Sequence, residues 1–281
     1  MSQRRHDSCT RTVRRPAGPY GVGATPAPSP PAWTPASATP LFWVDIPAAR
    51  SAGRLFTTSA KVTAASALSD PVGAIVQEGS LGNDLTQATT SRRYYLDQMT
   101  DGQWAVAGDN VDDALTNTSI AFTTGAKTIG FRAEYHTAPG VSELDGLIAV
   151  GGSSAHSRIM LGSSGYTYPG VSFICDPSGA GSASIRYAGL LPSVGAAFTV
   201  VIAYNGGPIN IKTSYRLWVD GVEIPNASLV SGFSMLGLAP STILCRDVAV
   251  SPAGARMSKS FVLSGDQSAL IAEMQAYLVA P

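Results

Sequence analysis

The chain has 281 residues, no net charge and only 14% charged residues, against roughly a quarter in typical soluble domains. That length holds one large β-domain or two smaller ones, and the absence of any apolar run of about 18 residues argues against a membrane-spanning helix. The cysteines Cys9, Cys175 and Cys245 have no CxxC spacing, which speaks against a disulfide scaffold and for a chain made in a reducing cytoplasm.

Arg4, Arg5, Arg11, Arg14 and Arg15 stand near the start against one acid, Asp7. No apolar segment follows them, so they do not read as a secretory leader. Residues 16–40 run PAGPYGVGATPAPSPPAWTPASATP, in which proline favours a semi-rigid polyproline spacer. Residues 1–40 therefore read as a basic, extended arm and linker, disordered in isolation. Trp33 is the exception, since a lone aromatic in a linker docks either on the body or on a partner protein.

From Leu41 the texture changes. TIGFRAEY (128–135) alternates Ile129, Phe131, Ala133 and Tyr135 against Thr128, Gly130, Arg132 and Glu134, the period of a strand. GLIAVG (146–151), SRIMLG (157–162), VSFIC (171–175), SIRYA (184–188), FTVVIAY (198–204) and ILCRDVAV (243–250) are further strand candidates, separated by turn formers such as Pro139-Gly140 and Pro169-Gly170. In SYRLWVDG (214–221), Tyr215, Leu217 and Val219 share one side and Ser214, Arg216 and Trp218 the other. Asp220-Gly221 then predicts a type I′ turn, with Val222, Glu223 and Ile224 returning. Trp104 and Trp218 read as sheet-packing residues, with an edge or subunit contact as the alternative for Trp218. At the C-terminal end Ser264 and Gln267 have capping-box spacing, and Leu270, Ile271, Met274, Tyr277 and Leu278 follow helical spacing. The predicted fold is all-β: an antiparallel sandwich or jelly roll with one short C-terminal helix packed on it.

Five stretches, in order, carry a resemblance. LFWVDIPAARS (41–51) and GNDLTQATTSRRYYL (82–96) resemble an opening in which an aromatic-Asp strand precedes a GN…Q…R…Y segment. WAVAGDNVDDALT (104–116) resembles the F-x-G-x-x-D-D-x-L stretch that follows. RLWVDGVEI (216–224) is similar to a Y-V-D-G hairpin, and FVLSGDQSALIAEMQAYL (261–278) to a closing strand and short helix ending in YL. Together residues 41–281 resemble the concanavalin A-like (laminin-G-like) jelly-roll domain of bacteriophage and prophage virion structural proteins. The resemblance implies two facing antiparallel sheets and a binding or structural module, often for carbohydrate.

It also sets the catalytic question. Glucanase relatives carry E-x-D-x-x-E on one strand, because retaining hydrolysis needs two close carboxylates. The nearest stretch here is Glu143-Leu144-Asp145-Gly146-Leu147-Ile148, with Ile148 where the last acid belongs, so no enzyme is expected. There is no G-x-S-x-G elbow, and His6, His136 and His156 form no metal-type pair. Asp109, Asp112 and Asp113 are the candidate metal ligands: laminin-G-like relatives bind calcium at loop carboxylates, although the spacing is not that of an EF-hand. The alternative, and the simpler reading, is a turn whose aspartates cap backbone N–H groups, and no other cofactor is expected. Tyr166 and Tyr168, in the loop GSSGYTYPG (162–170), are the candidate carbohydrate contacts, because aromatic faces suit the apolar faces of sugar rings; the alternative is tyrosines packed on their neighbours. The arginine arm, without interleaved aromatics, reads as a docking peptide on other virion proteins rather than a nucleic-acid site.

The expectation is a virion protein assembled in the host bacterial cytoplasm: a head spike, head fibre, decoration or tail-fibre component. The arm anchors it, and a homo-oligomeric jelly roll binds host surface polysaccharide with no membrane insertion. A polysaccharide depolymerase on the same fold and a purely architectural virion protein are the alternatives.

Overall fold

A computed structural model describes residues 33–80, 82, 84–109, 113–117, 125–136, 193–208, 211–225 and 254–281, and the backbone alone of the strands lying within 144–188 and 228–252. In chain order the elements are β1 (Pro40–Asp45), α1 (Ile46–Ser51), β2 (Leu55–Phe56), β3 (Pro71–Val72), β4 (Ala74–Ile75), β5 (Leu85–Thr86), β6 (Tyr94–Gln98), β7 (Trp104–Ala107), β8 (Leu115–Asn117), β9 (Lys127–Tyr135) and β10 (Leu144–Gly151). There follow β11 (His156–Gly162), β12 (Gly170–Asp176), β13 (Ser182–Ala188), β14 (Ala197–Tyr204), β15 (Tyr215–Val219), β16 (Val222–Ile224), β17 (Ser228–Phe233), β18 (Ser241–Ile243), β19 (Cys245–Asp247), β20 (Val250–Pro252), β21 (Ala255–Ser264) and α2 (Ile271–Val279).

Two antiparallel sheets face each other. The first runs β16-β15-β14-β9-β21-β7-β6-β3, and the second β17-β13-β12-β11-β10-β18-β8-β5-β4-β2. Strand β21 organises the first sheet. One side of it takes β9 along its whole length, while the other side takes β7 near its start and β1 near its end. Between the sheets lies a core in which Ile129, Phe131, Ala133 and Tyr135 of β9 meet Leu55, Ile75, Leu85 and Leu115 of the second sheet.

The alternation read in β9 is therefore correct, yet every residue of that strand is buried. The outer face of the first sheet is covered by a second apolar cluster. Met274, Tyr277 and Leu278 of α2, with Trp33, pack onto Val201, Ala203, Trp218, Phe261 and Leu263. Trp218 is thus a sheet-packing residue beneath the helix. Trp33 makes edge contacts with Phe261 at 6.0 Å and Tyr277 at 5.9 Å between ring centres. Of the two docking options for this tryptophan, the body is the one realised, and the folded body reaches back to Trp33 rather than starting at Leu41.

The hairpin forms as its residues require. Asp220 and Gly221 take φ of 49° and 76°, and Val219 pairs with Val222. The Asp220 carboxylate accepts the Thr199 N–H at 2.8 Å, tying the turn to β14. Two expectations are corrected. Ser264 ends β21 instead of capping α2; Asp266 accepts the Ser268 N–H at 2.9 Å and starts the turn into the helix, while the Gln267 side chain donates to the Ser264 carbonyl. Residues 243–250 are not one strand. β18 belongs to the second sheet, whereas β19 and β20 pair only with each other. No helix among the described residues is long and apolar enough to cross a membrane.

Gly130 lies directly across from Phe261, and a Cβ on it would sit 2.3 Å from that ring. The glycine is there to admit the aromatic beneath α2. Gly130→Ala is expected to cost about 1–3 kcal/mol in urea unfolding, and Gly130→Ala combined with Phe261→Leu to recover part of it. Full stability of the single variant would contradict this packing.

Candidate functional site

The outer face of the first sheet holds polar groups as well as apolar ones, and one carboxylate connects them. Asp45 ends β1 and caps α1, accepting the Ala48 N–H at 2.9 Å with Pro47 in the first turn. Its other oxygen accepts the Tyr277 hydroxyl at 2.9 Å, and that hydroxyl accepts the Trp43 indole N–H at 2.6 Å. Lys259, the residue opposite Asp45 on β21, holds its ammonium 3.8 Å from the same carboxylate oxygen.

Lys259 also serves the end of α2. The last carbonyls of a helix lack partners within it and carry the negative end of its dipole. Lys259 donates to the carbonyls of Tyr277 at 3.0 Å and Ala280 at 2.7 Å, Arg132 to Val279 at 3.2 Å, and the Gln103 amide to Ala280. Burial pushes the Lys259 pKa down, against the opposing pull of Asp45. Burial and then the Asp45 charge push the Tyr277 phenol up.

A bulge makes this arrangement possible. The register between β21 and β9 shifts between Met257 and Lys259, so Arg256 lies across from Glu134 and Lys259 across from Arg132. Arg256 bridges Asp97 and fully buried Glu134, each at 2.7 Å. Burial opposes its charge, and the two carboxylates more than offset that and raise its pKa. Glu134 also accepts the Thr100 N–H at 2.7 Å and hydroxyl at 3.0 Å. This fixes the β6–β7 turn, where Gly102 takes φ 84° and Asp101 accepts the Gln103 N–H at 3.1 Å. Asp101 in turn pairs with Arg132.

Beside that turn opens a cleft of ≈ 260 Å³, lined among others by Pro47, Asp101, Gln103, Trp104, Arg132 and Val279. The Arg50 guanidinium lies 3.8 Å from the Trp104 ring centre. The Asp101 side chain is 43% exposed and that of Arg132 10%. Gln103 is buried, and its Oε1 has no hydrogen-bond partner. An apolar wall with a few fixed polar groups is the general make-up of a small-molecule site.

The structure places the sequence candidates unevenly. Tyr166 and Tyr168 lie outside the described residues, as do Asp112, Glu143 and the arm residues Arg4, Arg5, Arg11, Arg14 and Arg15. Asp113 is buried and its carboxylate accepts the Asp109 N–H at 2.9 Å, the capping role read beside the metal one; among the described residues no three potential ligands gather as a metal site. The cleft residues were not singled out, apart from Trp104 as a packing residue. The signal for them was the D-G-Q-W turn at 101–104 together with two charges, Arg132 and Glu134, on one face of β9.

No family model and no curated protein matches the chain. Among solved structures, a leech intramolecular trans-sialidase is similar over 61% of this chain and 26% of its own, at 16% identity and TM-score 0.40, so this chain spans about a quarter of that enzyme. The CBM40 of a Ruminococcus gnavus IT-sialidase bound to α2,3-sialyllactose is similar at 13% identity over 60% of this chain and 95% of its own, TM-score 0.39. Domain 4 of a GH43 extracellular arabinanase from Geobacillus stearothermophilus, in complex with arabinotriose, is similar at 11% identity over 71% and 82%, TM-score 0.39.

Tyr277→Phe leaves the Trp43 indole without an acceptor and takes the hydroxyl donor from one Asp45 oxygen, and is expected to cost about 1–3 kcal/mol in urea unfolding at neutral pH. The raised phenol pKa makes the Tyr277 contribution complete below the unfolded value of about 10 and lost as pH rises beyond it. The stability gap between wild type and Tyr277→Phe should therefore narrow above that pH. Lys259, whose lowered pKa acts in the opposite direction, is common to both proteins. A constant gap would show that the phenol is not held as described.

Proposed function

We propose that the protein is a structural component of a phage or phage-like virion, anchored by its basic N-terminal arm, whose sandwich binds host surface carbohydrate without cleaving it. One observation carries the reading. The stretches that resemble the virion jelly rolls form a single interlocked unit: the aromatic-Asp strand β1 lies against β21, and its Trp43 and Asp45 bond to the tyrosine of the closing helix. The β15–β16 hairpin completes the same sheet, with Trp218 under that helix. Segments that carry the resemblance thus meet one another in the first sheet and its covering helix, which supports carrying over the family's role as a binding or structural module. Weak affinity per domain, multiplied by copies on a particle, suits adhesion, and a symmetric homo-oligomer suits a spike or fibre. The particle is assembled in the host bacterial cytoplasm.

Because Trp33 belongs to the body, the test removes residues 1–32. The truncated chain should keep the melting temperature of the full chain and be missing from purified particles by mass spectrometry; normal incorporation would remove the arm from the anchoring role. The full chain should retain host surface polysaccharide and release no reducing ends from it. Release would replace the binding reading with a depolymerase.

A further inference from the structure

We propose that the cleft between the β6–β7 turn, α1 and the end of α2 is the carbohydrate subsite, and that it takes one neutral pyranose ring in preference to an acidic sugar; this rests on the glycan-binding reading above. The size comes first. A space of ≈ 260 Å³ falls below the range of about 300–1,000 Å³ usual for drug-sized ligands, so it suits a single ring. The lining is amphipathic in the way a pyranose is. Pro47 and Val279, with Trp104 beside its Arg50 partner, form an apolar wall for the C–H face of the ring, and Asp101 stands where hydroxyls would meet it.

The polar groups define the ligand further. Asp101 accepts one bond from the Gln103 N–H and one from Arg132. A carboxylate has about four acceptor sites, so this half-exposed group keeps capacity for two adjacent hydroxyls. Gln103 donates its amide N–H to Ala280 and its Oε1 is closed off from the surface, so this residue holds the cleft floor in place. Asp101 is the group that wants hydroxyl donors.

Charge decides between sugar classes. Among the described residues of the lining Arg132 is the cation, and its guanidinium is already committed to Asp101 and to the Val279 carbonyl; Arg50, beside the cleft on Trp104, donates to the Ser66 carbonyl. The carboxylate is the more exposed partner of that pair. A second carboxylate entering the cleft would meet Asp101 with both nearby guanidiniums, Arg132 and Arg50, already engaged.

The test uses the full chain with methyl hexopyranosides, methyl hexuronosides and host surface polysaccharide as probes, followed by titration in solution. A neutral glycoside should bind at least about tenfold more tightly than its uronoside counterpart, a difference of about 1.4 kcal/mol. Asp101→Asn should weaken the neutral ligand about tenfold and narrow that preference, because it removes the charge and keeps the shape. Val279→Trp changes an exposed side chain at the mouth and should abolish binding of every probe without lowering the melting temperature. It keeps the test sharp if Asp101→Asn proves unstable. Binding that survives Val279→Trp, or that Tyr166→Ala with Tyr168→Ala removes instead, overturns the cleft while leaving the glycan reading in place. A preference for uronosides also overturns it. No binding of any probe overturns the glycan reading itself, and the cleft with it.

Discussion

The body depends on a buried carboxylate that must be paired. Asp45 lies between two helices and two strands, and each of its oxygens is used: one starts α1, and the other holds Tyr277 of α2 beside Lys259 of β21. An unpaired charge at such a depth costs several kcal/mol, so removing any one partner exposes the others to that cost. The carboxylate also fixes direction. Tyr277 can receive the Trp43 indole and give to Asp45 only when α2 lies along one line on the sheet, and that line brings the helix end over Lys259 and Arg132. The positions of Trp33 and of the cleft follow from it.

Covering both faces of the first sheet changes what its polar residues mean. In a two-layer sandwich, Arg132, Glu134, Arg256 and Lys259 would be solvated residues on an outer face. Beneath the end of α2 and the β6–β7 turn they become an inner layer, each with a partner, and the bulge at Ser258 provides the register that lets two basic side chains point the same way. A chain with so few charges places several of them here, where they act as connectors between strand and helix.

Much of this fold was legible because its signals are local. Asp220-Gly221 states its own backbone angles, β9 its own period, and Met274, Tyr277 and Leu278 their common face. What could not be read is long-range. Ser264 and Gln267 have the spacing of a capping box, but β21 continues through Ser264 to stay paired with Lys127 of β9, and Asp266 takes over the capping. Residues 243–250 have strand composition, yet β19 and β20 close on each other as a ribbon. Trp33 resembles a linker residue until Phe261 and Tyr277 are brought to it from the far end of the chain. The cleft was hidden for the same reason: Asp101 and Gln103 come from a turn, Arg132 from a strand face read as polar, and Val279 from the helix end, and no sequence window contains all three.

The same residues serve the helix end and the cleft, and this is a physical advantage rather than a conflict. Gln103 and Arg132 each commit some of their N–H groups to α2 carbonyls, which removes rotamer freedom before any ligand arrives. Side chains already ordered lose little more on binding, and a weak ligand such as a single sugar ring depends most on that saving. Asp101 is held in the same way, by Arg132 and by the Gly102 turn behind it. A site on a free loop would have to order itself around each ligand. Here the folding of α2 onto the sheet has already set the polar groups of the cleft proposed as the subsite, so the geometry that completes the fold also shapes that cleft.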